Sequence, residues 1–169
     1  MPVTLFLECE TTGFHPTLGA EVVEVGVVND AGQRVFYSLV RPSRRLARIT
    51  KSIIGLTEAE LRAAPRFAQV WPQLRRHLAG QEVVIWNAAF DRPFFPARMR
   101  CARKVVCAMR MFRQAYHTRH GVRPQPFIGF ALEYLGKRRR RRMKERCVGY
   151  ALEVRDVWGA LRRATGSEL

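Results

Sequence analysis

Two glutamates lie two residues apart at the end of an apolar segment near the N-terminus. Glu8 and Glu10 follow the apolar residues 3–7. Because side chains alternate along a strand, both glutamates should point to one face of a sheet while Cys9 points to the other. Paired carboxylates repel each other, so a cation between them would stabilise the pair. A solvated strand end with two ordinary surface glutamates is the alternative explanation.

Two aspartates further along the chain could join this pair. Asp91 follows a second apolar segment, residues 82–86, on the first turn of a predicted helix. Asp156 lies in the last amphipathic segment, where Leu152 and Val157 predict a position near the apolar stripe. An aspartate there destabilises the fold unless it is paired or bound to metal. A salt bridge to one of the many arginines is the competing explanation.

The elements that must position these groups change type along the chain. Apolar, β-rich segments predict strands over residues 3–9, 21–29, 34–41, 82–86 and 104–108. Helical spacing predicts helices over residues 57–63, 66–79, 109–117, 127–135 and 151–164, with another from about Ala88. Three consecutive strands predict an antiparallel meander, and the later alternation predicts parallel strands with helices on both faces of one mixed sheet.

Local signals set some of the helix ends. Thr57 to Glu60 forms a capping box that would open the first helix. Pro72 should bend or restart the second helix because it removes a backbone donor, and Gly80 should end it. The prediction is therefore an α/β fold in a single domain over residues 1–169.

The charge of the chain predicts a polyanionic partner. The formal net charge is +16, and residues 137–146 contribute eight Lys/Arg and one Glu to it. Such a charge favours nucleic acid through release of condensed counterions from the phosphates. A solvated basic surface without a specific partner is the alternative. The basic run is a candidate mobile loop that either lies beside the acidic site or forms a polycation far from it.

Cysteine usage and hydropathy predict a cytoplasmic protein without a membrane span. The cysteines at positions 9, 101, 107 and 147 include no CxxC pair, which favours reduced thiols over disulfides or a zinc site. No apolar run approaches the roughly 18 residues that a membrane span needs. The N-terminus lacks the basic leader and cleavage site of a signal peptide.

Two segments resemble the first two motifs of the DnaQ-like, or DEDD, 3′–5′ exonucleases. Residues 6–13 (FLECETTG) resemble the motif apolar-apolar-Asp-x-Glu-Thr-Thr-Gly, and residues 83–91 (VVIWNAAFD) resemble apolar-apolar-x-His-Asn-Ala-x-Phe-Asp. Between them, residues 54–57 (IGLT) resemble the family's His-Gly-Ile-Thr segment. The resemblance covers nearly the whole chain and implies the ribonuclease H-like fold, with three antiparallel strands followed by parallel strands.

The resemblance also implies a cofactor and a reaction. Two divalent ions, Mg²⁺ or Mn²⁺, would be held by Glu8, Glu10 and Asp156, with Asp91 contributing directly or through water. Together they would hydrolyse phosphodiester bonds from the 3′ end of single-stranded DNA or RNA by a two-metal mechanism. Nothing in the sequence distinguishes DNA from RNA.

Further residues would bind the strand by the same resemblance. Phe14 would stack on the last base, although a hydrophobic plug over the sheet edge explains it equally. Asn87 would orient the segment that carries Asp91. The terminal nucleotide would also contact the backbone at Thr11, Thr12 and Gly13. The expected phosphate contacts are Arg44, Arg45, Arg48, Lys51, Arg138, Arg139 and Arg140.

Three departures from the family pattern fall at the expected active centre. Glu8 replaces the first Asp, and Trp86 replaces the His before Asn87. The family's general base lies five residues before the last Asp (His) or four before it (Tyr), and counted from Asp156 these positions hold Ala151 and Leu152. Replacement bases would be His15, which is also a typical turn residue, or Tyr150, whose spacing fits neither subclass.

These departures leave two functions open. A proton acceptor contributes about 10² to 10⁴ in rate, so an exonuclease without one would be slow. A catalytically degenerate protein of the same fold that binds nucleic acid, or another protein, is the alternative. The set of four carboxylates favours the enzyme, whereas the missing base and the arginine run favour the binder.

Overall fold

The computed structural model describes residues 3–44, 55–140 and 143–165, the last without the side chain of Thr165. Within these ranges five strands form one sheet: β1 (Thr4–Thr11), β2 (Val22–Asn29), β3 (Arg34–Leu39), β4 (Glu82–Ile85) and β5 (Lys104–Cys107). Their order across the sheet is β3-β2-β1-β4-β5. The first three pair antiparallel, and β4 and β5 continue the sheet in parallel to β1. The predicted mixed sheet is confirmed.

Helices cover the sheet on both faces. They are α1 (Glu58–Ala63), α2 (Phe67–Leu78), the short α3 (Ala88–Asp91), α4 (Ala108–His120), α5 (Ile128–Tyr134) and α6 (Arg146–Thr165). The α1 capping box is formed by Thr57 and Glu60 as predicted. Helix α2 runs through Pro72 without restarting. Helix α6 begins five residues earlier than predicted, inside the basic run.

Strand alternation produces two separate cores. One face of β1 carries Leu5, Leu7 and Cys9, which are buried with the apolar face of α2. The other face carries Phe6, which is buried with residues of α4, α5 and α6. Glu8 and Glu10 continue this second face. The two glutamates therefore share one face, as the alternation predicted, and this face lies under the last helix.

Gly26 lets helix α6 approach the sheet at backbone distance. Gly26 is the cross-strand partner of Glu8. A Cβ atom at this position would lie 2.6 Å from the backbone nitrogen of Val148 and 2.7 Å from the carbonyl carbon of Cys147. Only glycine fits such a close approach. The contact places the first turns of α6 directly over the carboxylates of β1.

Some predicted features lie outside the described residues. Arg45, Arg48, Lys51 and Ile54 belong to the segment 45–54, and Arg141 and Arg142 also lie outside. All four cysteines are free thiols. Among the described residues, no helix is both long enough and apolar enough to cross a membrane.

Candidate active site

Glu8 is the centre of an acidic cluster at the carboxyl end of β1. Its Oε1 accepts a hydrogen bond of 3.2 Å from the backbone N–H of Trp86, the residue that follows β4. Burial raises the pKa of Glu8 well above its ordinary value, and the negative charges of Asp91, Glu10 and Glu153 raise it further, against the opposing effect of the Trp86 N–H. Three carboxylates are thus close enough to act on a fourth.

Asp91 reaches this cluster from the short helix α3. Its N–H is held by the Asn87 carbonyl at 3.2 Å, so the backbone of Asn87 orients the residue. The side chain is 3% exposed, and its Oδ1 accepts a hydrogen bond of 3.1 Å from the Cys9 thiol. Burial raises the pKa of Asp91 to about 7, with a further contribution from Glu10. At neutral pH this carboxyl is therefore only partly ionised.

Glu153 supplies the fourth carboxylate, and it is a residue that the sequence-based reasoning missed. It is 2% exposed on the inner side of α6. Its Oε2 pairs with Arg139 Nη2 at 3.3 Å, and its Oε1 accepts the backbone N–H of Arg140 at 2.9 Å. The acid of α6 that faces Glu8 is therefore already bound to the basic run.

Glu10 and Glu24 form a second acidic pair beside Glu8. They are cross-strand partners on β1 and β2. Glu10 pairs with Arg146 at 3.4 Å. Glu24 is fully buried, and its Oε1 accepts the N–H of Cys147, the second residue of α6, at 3.2 Å. Since the first helical N–H groups lack partners within the helix, Glu24 caps α6 and holds it in place.

Asp156 does not join the cluster, so the expectation that it converges with the other three is wrong. Its Oδ2 pairs with Arg140 Nη2 at 2.6 Å and its Oδ1 with Arg155 Nη2 at 2.8 Å. It lines a different cavity, of about 500 Å³, together with Asp30 and Phe6. Phe6 precedes Glu8 by two residues, so Asp156 lies towards the start of β1. The salt bridge considered as the competing explanation is the one observed.

Helical rotation explains the difference between the two acids. Each residue turns an α-helix by about 100°, so positions three and four apart share a face. The neighbours of Glu153 at these spacings include the buried Gly149 and Val157. Those of Asp156 are the buried Glu153 itself and three residues that are only partly buried, Leu152, Gly159 and Ala160. The burial of these neighbours, and not their residue types, distinguishes Glu153 from Asp156.

With Glu153 taken as the last acid, the residues at the family's general-base positions still cannot accept a proton. Five residues before Glu153 lies the buried Val148, and four before lies Gly149. His15 is exposed, and its Nδ1 lies 2.7 Å from Thr17 Oγ1, in the turn that precedes a short 3₁₀ helix. It is a turn residue in this structure. The Tyr150 ring lies 6.0 Å from the guanidinium carbons of both Arg139 and Arg146.

The predicted nucleotide-binding segment forms a shaped loop after β1. Thr11 Oγ1 donates to the Gly13 carbonyl at 2.7 Å, and Thr12 Oγ1 accepts the Glu21 N–H at 2.9 Å. These bonds fix the loop without using Phe14, whose side chain is 89% exposed. Phe14 is therefore not a plug over the sheet edge, and its ring is accessible for stacking.

The described part of the predicted phosphate-binding set is divided. Arg44 and Arg138 are exposed. Arg139 and Arg140 instead bind Glu153 and Asp156. The start of the basic run thus lies against the acidic residues of α6 and beside the acidic cluster.

The donor set suits a hard divalent ion, but the side chains are not arranged around one. The carboxylates of Glu8 and of the three acids whose charges raise its pKa are the oxygen ligands that Mg²⁺ and Mn²⁺ prefer. As the side chains stand, no three acidic, histidine or cysteine groups among the described residues form a metal site. The ion pairs explain this, because Arg146 holds Glu10 and Arg139 holds Glu153.

Comparison with known families gives one match over most of the chain. The RNase T family model, described as an exonuclease family, matches residues 5–154. The matched region contains Glu8, Glu10, Asp91 and Glu153 and ends before Asp156.

Curated relatives match about half of the chain. A DNA polymerase III subunit epsilon-like protein of Rhodobacter capsulatus is 35% identical over 92 residues, which are 52% of this chain and 13% of the relative. The DNA polymerase III subunit epsilon of Escherichia coli is 30% identical over 98 residues, covering 53% of this chain and 40% of the relative. The match therefore spans less than half the length of either protein.

Solved structures share the fold at low sequence identity. The nuclease domain of a 3′ exonuclease of the DEDDh family, bound to rAMP, aligns with a TM-score of 0.73 and 18% identity over 98% of this chain and 94% of the other. Exonuclease X in complex with 5′ overhanging duplex DNA aligns with a TM-score of 0.71 and 20% identity, covering 97% and 93% of the two chains.

Proposed function

Because the chain belongs to the RNase T exonuclease family, we propose that it is a metal-dependent 3′–5′ exonuclease that removes nucleotides from single-stranded DNA or RNA. The observation that carries the proposal is the cluster of Glu8, Glu10, Asp91 and Glu153, whose charges act on one buried carboxylate. Buried like charges are costly unless a cation compensates them. This cluster takes the place of the set that included Asp156.

The four carboxylates would hold two divalent ions. Bound ions would supply an activated water and stabilise the leaving 3′ oxygen. The N–H of Trp86 fixes Glu8, and the Cys9 thiol fixes Asp91. Since burial raises the pKa of Asp91 to about 7, the fraction of this carboxyl that is still protonated at neutral pH would have to lose its proton to hold a metal. Arg139 must also leave Glu153 before that carboxylate can bind a metal.

The substrate class follows from charge and from the exposed ring after β1. Phe14 would stack on the terminal base, and the loop of Thr11 and Thr12 would hold its sugar. Arg44, Arg45, Arg48 and Lys51 would contact phosphates upstream of the scissile bond. Relatives in polymerase III and structural neighbours with bound rAMP and overhanging DNA support a nucleic-acid ligand. The cytoplasmic location stays a prediction.

A catalytically weak or inactive nucleic-acid-binding protein is the second candidate function. Val148 and Gly149 occupy the base positions. In addition, two of the four carboxylates are bound to arginines. A site that lacks its base and whose acids are neutralised by its own side chains would bind a strand without efficient hydrolysis.

A nuclease assay separates the two functions. Purified protein is incubated with a 5′-labelled single strand of DNA or RNA in Mn²⁺, Mg²⁺ or EDTA. The exonuclease predicts a ladder that shortens from the 3′ end in metal and not in EDTA. Strand binding without any ladder in either metal would favour the binding protein.

The matched pair Glu8→Gln and Glu133→Gln guards the assay against contamination. Glu133 is an exposed glutamate of α5 outside the acidic cluster. Exonuclease activity that belongs to this protein should disappear in Glu8→Gln and persist in Glu133→Gln. A ladder that survives Glu8→Gln would belong to a contaminant.

A further inference from the structure

A second cavity adjoins the acidic cluster on the side of α4 and α5. Its volume is about 720 Å³, and it lies between the end of β4 and the first turns of α6. Trp86 connects it to Glu8 through the backbone hydrogen bond, and Arg139 connects it to Glu153 through the ion pair. The residues of its lining that matter here are Trp86, Asn87, Arg113, Phe127, Arg139 and Tyr150.

The aromatic part of the lining includes an exposed ring. Phe127, at the N-terminal end of α5, is 66% exposed although it borders the cavity. Trp86 is buried, and its indole N–H donates to the Pro126 carbonyl at 3.0 Å. The polar atom of Trp86 is thus satisfied and its ring is held in place. Rings that are fixed or exposed around one cavity are the surfaces on which unpaired bases stack.

The charged part of the lining has an unsatisfied donor. Arg113 Nε is buried and has no hydrogen-bond partner among the described residues. Buried donors normally have a partner, so this N–H is available to an acceptor that enters the cavity. Arg139, whose side chain is 56% exposed, contributes a second guanidinium. Two guanidinium groups beside aromatic rings match a phosphate next to a base.

Asn87 adds an amide that can bond to the edge of a base. It lies at the N-terminal end of α3, where its side chain makes no capping bond to the helix. An amide both donates and accepts, so it can pair with the donor and acceptor groups of a base edge. An aromatic ring, a cation and an amide that makes no capping bond are thus present in the same cavity.

We propose that this cavity binds one unpaired nucleotide of a single strand, with its base against Phe127 and Tyr150 and its phosphate on Arg113 and Arg139. The identification of the ligand as nucleic acid rests on the proposed function, whereas the cavity itself does not require hydrolysis. Arg139 would then bind the Glu153 carboxylate in the free protein and the phosphate when a strand is bound. When a phosphate binds Arg139, Glu153 is released and becomes able to bind metal.

Binding without metal tests the subsite independently of hydrolysis. A fluorescent single strand is titrated in EDTA and followed by anisotropy, with wild type and Phe127→Ala. Loss of a stacked base should weaken binding by about 5- to 100-fold. Leu18→Ala is the control, because Leu18 is another strongly exposed apolar side chain, and it lies outside the cavity. It should leave affinity unchanged.

Two altered ligands locate the effect on the base. On a strand with abasic sites, Phe127→Ala should bind as wild type does, because no ring remains to stack. Wild type and Phe127→Ala should also bind a fully paired duplex with equal affinity. Arg113→Gln should weaken binding to the normal and the abasic strand alike, whereas Arg76→Gln, on the exposed surface of α2, should have at most the small effect of a lost surface charge.

The outcomes separate this inference from the proposed function. If Phe127→Ala binds the normal strand as well as Leu18→Ala does, or loses equal affinity for the abasic strand, the subsite is refuted. If the loss of affinity depends on the base but the protein never cuts, the subsite is supported and the exonuclease is refuted. If the protein cuts but Phe127→Ala does not change its affinity, the exonuclease is supported and the subsite is refuted.

Discussion

Replacing Asp91 with Asn should stabilise the metal-free protein by an amount that grows as the pH rises from about 4 to about 7. Asp91 is buried among other carboxylates, and its pKa is raised from the ordinary 3.8 to about 7. A raised acid pKa means that the folded state binds a proton more readily than the unfolded state does. The stability from this group is therefore fully present below pH 4 and is lost as the pH rises to about 7.

The magnitude follows from the difference between the two pKa values. About three pH units at about 1.4 kcal/mol each correspond to about 4 kcal/mol, which is the cost of ionising Asp91 in the folded protein above pH 7. Relaxation and water entry reduce this cost, so we expect Asp91→Asn to gain about 1 to 4 kcal/mol at pH 8. Asparagine retains an oxygen that can accept the hydrogen bond from the Cys9 thiol.

Urea unfolding in EDTA measures the effect. The free energies of unfolding of wild type and Asp91→Asn are compared at pH 5, 6, 7 and 8. The stability advantage of the variant should grow as the pH rises from 5 to 7 and should level off above pH 7.

Asp156→Asn is the matched control, because the carboxylate of Asp156 is bound by two arginines instead of facing other acids. This variant should be less stable than wild type by about 0.5 to 2 kcal/mol. If Asp91→Asn is no more stable than wild type at pH 8, or if its gain is the same at pH 5, the carboxylate does not have the electrostatic environment described above.

Three further predictions concern activity and metal binding. Glu153→Gln should lower the exonuclease rate by more than about 100-fold, because even residues that only support metal ligands contribute about 10- to 100-fold. The rate of Asp156→Asn should stay within about threefold of the wild-type rate. Equal losses in the two variants would refute the assignment of Glu153. Arg139→Gln should tighten Mn²⁺ binding in calorimetry by about two- to fivefold, the value of a partly exposed ion pair, and Arg138→Gln should not; an unchanged affinity would mean that Arg139 does not compete with the metal. Glu8→Asp should raise the rate in Mg²⁺ more than in Mn²⁺, because Mg²⁺ demands stricter octahedral geometry; a drop in both metals would mean that the longer side chain is the fitted ligand.

The parts of the site on the sheet were predictable because strand geometry is regular. Glu8 and Glu10 share a face through the two-residue period, and the structure places both beneath α6. Asp91 follows a short buried strand that pairs beside β1, which brings it to the same edge. In each case a local pattern and the parallel pairing suffice to determine the position.

The contribution of the last helix was not predictable in the same way. The choice between Glu153 and Asp156 depends on the rotation of α6 about its axis, and the helix also begins earlier than its apolar pattern suggested. Gly26 and Glu24 fix that rotation through contacts with Val148 and Cys147, more than 120 residues away. No local signal in residues 146–165 contains this information.

The acids belong to two elements, the sheet and α6, and Gly26 sets the distance between them. Glu8, Glu10 and Asp91 belong to the sheet and its edge, whereas Glu153 moves with α6. A methyl group at position 26 would meet the helix backbone at 2.6 Å, so the helix would shift outwards by several tenths of an ångström and carry Glu153 with it. A homologue could therefore lose its metal site through one substitution at this strand position while all four carboxylates remain in its sequence. Among relatives of this protein, we therefore expect activity to depend on the residue opposite the first acid as well as on the acids themselves.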